Sequence, residues 1–500
     1  MLKEHPKGLY VLFFSNMGER FGYYTMLSIF VLYLQENFGW DSEMTGRVYG
    51  AFLFAIYFMP LLGGWLADRV LGYGKTIALG TVVMVAGYGL LALPTKSALM
   101  VYLALAVISI GNGMFKGNLA VVVGNLYSKE KGSLRDAAFN IYYMGINIGA
   151  FFAPHAARGV KDYFHDTLGF TLAQGYNAAF AVSAVGMVIS LLIFLAGRKL
   201  YKHADFRSED KKGTKEEVVL TKSEERERII ALIIVFAIVI FFWMAFHQNG
   251  FTLTLFAKNY TVSEVSRFTY MFFDLPALLA LAGVVAGLVL LLSGRQLYVR
   301  LFAIALLSAG GGLAYHKWSL FSETNKITPE LFQAFNPIFI VFLTPAVIAF
   351  FAKLNRAGKE PSSPAKIGIG MFITAIGFGI MALASAGLQS PSALADGRSP
   401  VLVTPYWLIG TYFVMTIAEL FLSPMGLSFV SKVAPPRFSG LMQGGWLGAT
   451  AVGNLLAGLI GRFYKQWELW QFFLFVACAA IVSCVAVIAV LKKLKSATRS

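Results

Sequence analysis

Apolar runs of about twenty residues or more recur along this chain between short polar breaks, and at about 1.5 Å rise per residue a run of that length crosses the hydrocarbon layer of a bilayer as a helix. Taking each run bounded by glycine, proline or charge as one crossing places spans at 9–36, 44–68, 75–94, 98–127, 134–157, 174–197, 229–257, 275–293, 298–316, 332–353, 367–388, 404–431, 439–462 and 468–491. These fourteen spans, an even number, return the C-terminus to the side of the N-terminus. The runs are continuous rather than alternating, so the pattern predicts an all-α membrane protein and excludes an outer-membrane barrel. A single long polar stretch interrupts it, GRKLYKHADFRSEDKKGTKEEVVLTKSEERER, which mixes both signs without apolar periodicity and reads as a linker. Six spans precede it and eight follow, which is economical as a duplicated six-helix unit with two added helices. The expected organisation is a six-helix bundle over 1–197, a linker over 198–228, and a second bundle over 229–500 that includes an extra hairpin at 275–316. The hairpin turn SGRQLYVR carries Arg295 and Arg300.

Composition agrees with that pattern. Over 500 residues, 57% are hydrophobic and 14% charged, far too apolar for water-soluble domains. The net charge of +16 suggests nucleic acid in a soluble protein, but sorted by loop, 29 Lys and Arg fall on the side of the termini and 11 on the other, with Arg20 and Lys116 inside the membrane. That asymmetry predicts both termini in the cytoplasm, and it points to anionic lipid headgroups, not nucleic acid, as the partner of the basic excess. Cys478 and Cys484 share one apolar run, so neither a disulfide framework nor a zinc site is expected. The N-terminus MLKEHPKGLY leads into the first span with no small-residue cleavage site and reads as a first helix. HExxH, GxSxG and paired intramembrane aspartates are lacking, which argues against an enzyme. No metal motif or nucleotide cassette is present either, so no cofactor is expected and an ion gradient is the expected energy source.

Ionisable groups deep in a span cost about 2.5–3.5 kcal/mol on insertion scales, so each should face a partner or a wet cavity. Here they are Glu19 and Arg20 in the first span, Lys116 in the fourth, His247 in the seventh and Glu419 in the twelfth crossing. One reading is a static network in which Glu19 neutralises Lys116 and Arg20 pairs elsewhere. The other is a binding site with cations on one half and an anion on the other, suited to a zwitterion whose carboxylate meets Arg20 and Lys116 and whose amine meets Glu419. Glu19 and Glu419 would then exchange protons as their partners come and go. His247 is either hydrogen-bonded core or a titrating group. Tyr23, Tyr24, Tyr49 and Tyr57 either offer hydroxyls to a cavity or pack at helical spacing. Gly63-Gly64 and Gly444-Gly445 suggest close helix packing.

Several motifs, in order, resemble known families. GGWLADRVLGYGKT at 63–76 resembles the loop motif of the major facilitator superfamily, which implies that Asp68 and Arg69 belong to a cytoplasmic latch. FNIYYMGINIGAFFAP at 139–154, with Asn147 and Gly149, is similar to the signature of proton-coupled oligopeptide transporters. GERFGYY in the first span, GNGMFKGN in the fourth, FFWMAFHQNG in the seventh, the Asn336-Pro337 pair, ELFLSPMGLSFVSKVAP at 419–435 and QGGWLGA at 443–449 extend the resemblance along nearly the whole chain. It implies two six-helix bundles closing alternately around a central cavity in the bacterial inner membrane. Di- or tripeptides then enter with protons, and a monomer suffices. It further implies peptide-carboxylate contacts at Arg20 and Lys116, an amine contact at Glu419, other contacts at Tyr24, Asn147, Asn336 and Trp446, with Tyr57 beside them, and proton coupling through Glu19, Lys116, His247 and Glu419. The chain departs from the family pattern at Asn16, Thr25, Leu27 and His247, and its extra hairpin follows the seventh span instead of preceding it. An ion-coupled transporter of another small carboxylate or peptide-like compound, and a transporter-like receptor, stay open as alternatives.

Overall fold

The computed structural model describes residues 5–127, 132–205, 221–294, 296–394, 397–435 and 438–499. Helices dominate. In chain order the principal ones are α1 (Lys7–Phe38), α2 (Ser42–Leu66), α3 (Tyr73–Ala92), α4 (Ala98–Asn125), α5 (Gly132–Asp162), α6 (Leu172–Ala196), α7 (Lys222–Phe246), α8 (Thr252–Tyr260), α9 (Leu275–Ser293), α10 (Leu297–Leu320), α11 (Phe335–Arg356), α12 (Ser363–Ala384), α13 (Tyr406–Val433), α14 (Ser439–Leu459) and α15 (Leu469–Arg499). Among the described residues, twelve helical stretches are long and apolar enough to cross a membrane, one of them joining α7 and α8. This marks a multi-pass membrane protein. Helices α1 and α5 match these in length but are not among the twelve; their buried faces carry Asn16, Glu19, Arg20 and Asn147.

Local chemistry sets the helix ends. Asp41 accepts the Met44 amide at the start of α2, and Asp274 accepts the Ala277 amide at the start of α9. Thr171 with Gln174 and Thr221 with Glu224 form capping boxes that open α6 and α7. The Thr221 box corrects the expected linker. A charged turn, Lys222 to Arg228, continues α7 outward beyond its apolar run, and a short helix, Arg198–Tyr201, follows α6. Residues 206–220 of the expected linker and Arg295 of the hairpin turn lie outside the described residues. The seventh crossing is also broken. After Phe246 the backbone tightens into a 3-10 turn, His247–Gly250, then passes through Phe251 before α8 begins.

Helices α1 to α6 pack as one bundle, with α1 against α5 and α6 and α3 against α4 and α6. Helices α7, α8 and α11 to α15 form the second, with α12 between α13 and α15. The hairpin of α9 and α10 packs chiefly on itself, and its contact with the bundles runs through Leu278 against Phe151 and Ala334. The strands β1 (Glu264–Ser266) and β2 (Thr324–Lys326) pair antiparallel on either side of the hairpin, Val265 opposite Asn325. Glycine allows the closest crossings. A Cβ on Gly63 would strike the Gly113 backbone of α4, whereas Gly64 faces open space, so only one of that pair packs a helix. Between the bundles, α2 crosses α14 at Gly46, Gly50 and Gly458; a Cβ on Gly458 would fall against the Gly46 carbonyl and 2.7 Å from the Gly50 Cα.

Candidate functional site

The bundles enclose a cavity of about 330 Å³ between them. Arg20, Tyr23 and Tyr24 of α1, Tyr49 and Tyr57 of α2, Lys116 of α4, and Tyr143 and Asn147 of α5 line one wall. The other wall is made by Trp243 of α7, His247 and Asn249 of the 3-10 turn, Asn336 of α11, Tyr412, Glu419 and Ser423 of α13, and Trp446 of α14. All eight residues expected as substrate contacts (Arg20, Tyr24, Tyr57, Lys116, Asn147, Asn336, Glu419 and Trp446) therefore border one space, and so does His247.

Glu19 does not border the cavity; it sits behind it, fully buried. Its two carboxylate oxygens accept from Arg20 Nε and Nη2, and Asn112 donates to the same carboxylate at 3.0 Å. The static network in which Glu19 neutralises Lys116, one of the two readings of the sequence, is thus not the one formed. Neighbouring long side chains on a helix both lean toward its N-terminus, and the guanidinium fork matches a carboxylate in geometry, so a sequential pair closes despite the 100° between the residues. Lys116, released from Glu19, lies with Nζ 4.0 Å above the Tyr57 ring, a cation–π contact. Asn147 donates back to the Tyr143 carbonyl at 3.0 Å.

On the second wall Asn336 donates to Glu419 at 2.9 Å and to Thr416 Oγ1 at 3.1 Å, which fixes the carboxylate direction. The broken seventh crossing positions His247. Gln248 donates to the Met244 carbonyl and, at 3.1 Å, to the Ala457 carbonyl of α14, so the turn is pinned to the neighbouring helix. The His247 ring stacks on Trp243 at 5.7 Å between centroids and meets Tyr57 edge-on at 6.1 Å. Charge separation across the cavity is the outcome. Lys116 stands on one wall and Glu419 on the other, while Arg20 is already compensated by Glu19.

Asp68 and Arg69 lie outside this space, in the π-helical turn Ala67–Leu71 between α2 and α3, where Asp68 accepts from the Tyr73 hydroxyl. At the opposite end of the molecule, polar contacts that sequence reading missed clasp the bundles together. Lys161 of α5 pairs with Glu330 at 2.6 Å, Lys258 with Glu36 at 3.0 Å, and Lys465 with Asp41 at 2.7 Å. Arg158 donates to the Lys326 carbonyl and Gln333 to the Ser28 carbonyl. Glu330 is fully buried, and its pair with Lys161 joins α5 of the first bundle to the turn that leads into α11 of the second. Asp41 lies at the rim, where hydrogen bonds from Lys465 and from the Met44 amide hold its carboxyl below the usual range. Lysines and glutamates near the ends of apolar runs are ordinary in a sequence, and nothing in their spacing signals a clasp.

The chain is similar to proteins already described. It is 29% identical over 473 residues to the dipeptide and tripeptide permease B of Xenorhabdus bovienii, covering 91% of this chain and 86% of that one. A crystal structure of the peptide transporter POT in complex with alafosfalin superposes with a TM-score of 0.74 at 25% identity, over 99% of this chain and 96% of that one. A POT family transporter in complex with 5-aminolevulinic acid shares the fold, with a TM-score of 0.76 at 22% identity over 98% and 97%. The arrangement is that of the major facilitator superfamily, two six-helix bundles with an extra hairpin. The sequence profile of the POT family matches residues 74–221 and 319–471, together more than half of the chain and reaching into both bundles, and the chain therefore belongs to the POT family.

Proposed function

We propose that this protein is a secondary active transporter that carries di- and tripeptides into the cell together with protons, by alternating access. One observation carries the reading: an enclosed cavity between two bundles holds the cation Lys116 on one wall and the acid Glu419 on the other. A zwitterionic peptide presents those charges in reverse, so its carboxylate lies toward Lys116 and Arg20 and its amine toward Glu419. Tyr24, Tyr57, Asn147, Asn336 and Trp446 hold the peptide between these ends. When the peptide carboxylate arrives, Arg20 loosens from Glu19, and Glu19 becomes free to take or release a proton. Glu419 does so as its amine partner comes and goes, and His247 is the remaining titratable group on the route.

In this reading the termini, the linker over 198–228 and the turn holding Asp68 and Arg69 face the cytoplasm of a bacterial cell, with the latch at that side. The Lys161 clasp faces outward and is shut. Residues 1–197 and 229–500 move as two bodies, the hairpin 275–316 travels with the second, and a monomer in the lipid suffices without cofactor, metal or nucleic acid.

Counterflow in proteoliposomes with a mixed pool of di- and tripeptides, read by mass spectrometry at two pH values, tests the proposal. Dipeptide accumulation that rises with an inward proton gradient is expected. Uptake indifferent to a protonophore at fixed membrane potential would remove the coupling. A second reading, transport of another small carboxylate or peptide-like compound, draws on Asn16 and His247 standing where the family pattern has acids; stronger binding of amine-free carboxylates than of dipeptides would select it.

A further inference from the structure

A second cavity, of about 810 Å³ against about 330 Å³ for the one between the bundles, lies beside the first bundle. Helices α1, α5 and α6 form one side of it, and the segment 270–276, where α9 begins, forms the other. The hairpin meets α5 at Leu278 and Phe151, and the cleft is the space left beside that contact. It follows α5 from Asp162 to Ile148, about 21 Å at about 1.5 Å per residue. That is the depth of one leaflet: half of a hydrocarbon core of about 30 Å and the headgroup level above it. Met17 and Phe21 of α1, Phe152 of α5, and Val185 and Ile189 of α6 line the deep part, and the last two are 56% and 50% exposed, as side chains that meet lipid are. At Gly159 a Cβ would meet nothing within 4 Å, so the glycine keeps part of the cleft open.

The shallow end is charged. Arg158, Asp162 and Asp274 line it, and their side chains keep 19%, 33% and 17% of their surface accessible, so all three can be reached by an occupant. His155 lines the same end, within electrostatic reach of both Arg158 and Asp274. Arg158 donates to Asp162 at 3.2 Å and to the Lys326 carbonyl at 3.0 Å, which spends only part of its fork of donors. Asp274 lies 3.4 Å from Lys317, and Asp162 lies 3.5 Å from Lys161, itself paired with Glu330. The linked cluster thus holds three cations and three acids. An occupant with a net charge would be unmatched at the edge of a low-dielectric medium, whereas a zwitterion adds none. A phosphate suits the guanidinium fork. A primary ammonium donates through every hydrogen and suits the two aspartates, for which a quaternary ammonium has no N–H at all.

We propose that this cleft binds one phospholipid with a zwitterionic, primary-amine head, phosphatidylethanolamine. Its phosphate rests on Arg158, its ammonium lies toward Asp162 and Asp274, and one acyl chain runs along α5 to Met17. The site is separate from the central cavity and stands whatever that cavity carries. Because Arg158 also holds the Lys326 carbonyl, the head binds where α5 is tied to the second half of the chain.

Native mass spectrometry of the full chain, released from micelles carrying equal amounts of palmitoyl-oleoyl phosphatidylethanolamine, phosphatidylcholine and phosphatidylglycerol, tests the site. One phosphatidylethanolamine should be retained per chain, about tenfold more often than either competitor. Gly159→Leu puts a side chain into the open space of the cleft and should lower that retention about tenfold while the chain stays monodisperse. Asp274→Asn keeps an oxygen for the Ala277 amide but removes a charge; it should bring the ethanolamine and choline lipids within about twofold of each other, and it serves if the first variant does not fold. Equal retention of all three lipids by the unaltered protein means annular lipid only and overturns the site, and preferential retention of phosphatidylglycerol overturns the zwitterionic head. Retention unchanged in a folded Gly159→Leu, or a lipid preference unchanged in Asp274→Asn, overturns the placement.

Discussion

The two walls of the cavity are built on different principles. The wall from α1 to α5 is settled around Glu19 and leaves one cation, Lys116, facing the cavity: Arg20 is chelated by Glu19, Asn112 supports that carboxylate, and Asn147 is bonded back to its own helix. The wall from α7 to α14 has one acid fixed by Asn336 and several polar atoms with no partner. A compensated wall holds a charge in one place and suits the part of a ligand that never varies. An uncompensated wall is satisfied by whichever ligand completes it, and suits the part that does vary.

The most damaging way to break this contrast is to remove its two poles. Lys116→Ala or Glu419→Ala leaves one terminus of a peptide buried without a counter-charge, and uptake in proteoliposomes should fall on the order of a hundredfold or more. Glu19→Gln attacks the settled wall instead. It leaves Arg20 buried and unpaired, so the unfolding midpoint in detergent should drop by an amount equivalent to about 3–5 kcal/mol, whereas Asn112→Ala should cost only about 1 kcal/mol. If both variants cost the same, the first wall is not organised around Glu19.

The clasp sharpens the comparison because it sets which state is seen. Glu330→Gln leaves Lys161 buried against a neutral group and favours opening on that side. A cysteine introduced at Ser28, now buried beneath Gln333, should then react with a soluble maleimide about tenfold faster than in the unaltered clasp. The smallest effect belongs to the rim. The Asp41 carboxyl has a depressed folded value, so its contribution is present above the ordinary carboxylate range and is lost as pH falls through the lowered one. Both partners in its pair with Lys465 are more than 40% exposed, so Lys465→Met should remove a pH-dependent increment of less than about 0.5 kcal/mol, measured as the difference in melting midpoint between neutral and acidic buffer.

Much of this was legible beforehand, for identifiable reasons. Span 275–293 coincides with its helix end to end because Asp274, Pro276 and Gly294 delimit both the apolar run and the helix. The apolar run begins at 229 but the helix at Lys222, because apolar content marks where a helix enters lipid, not where its capping box begins. Arg20, Lys116 and Glu419 were readable as cavity residues because charge within hydrocarbon demands a reason. Which charge pairs with which was not, since Glu19 chose its sequence neighbour over Lys116. Lys161 and Glu330 are silent for the opposite cause: outside the apolar runs, charge needs no explanation, and only folding brings these two together.

The crossing of Gly46 and Gly50 over Gly458 has a mechanical corollary. Main chain rests there on main chain, with the Phe251 ring as the side chain packed against Gly46. A single methyl at Gly458 would wedge the joint.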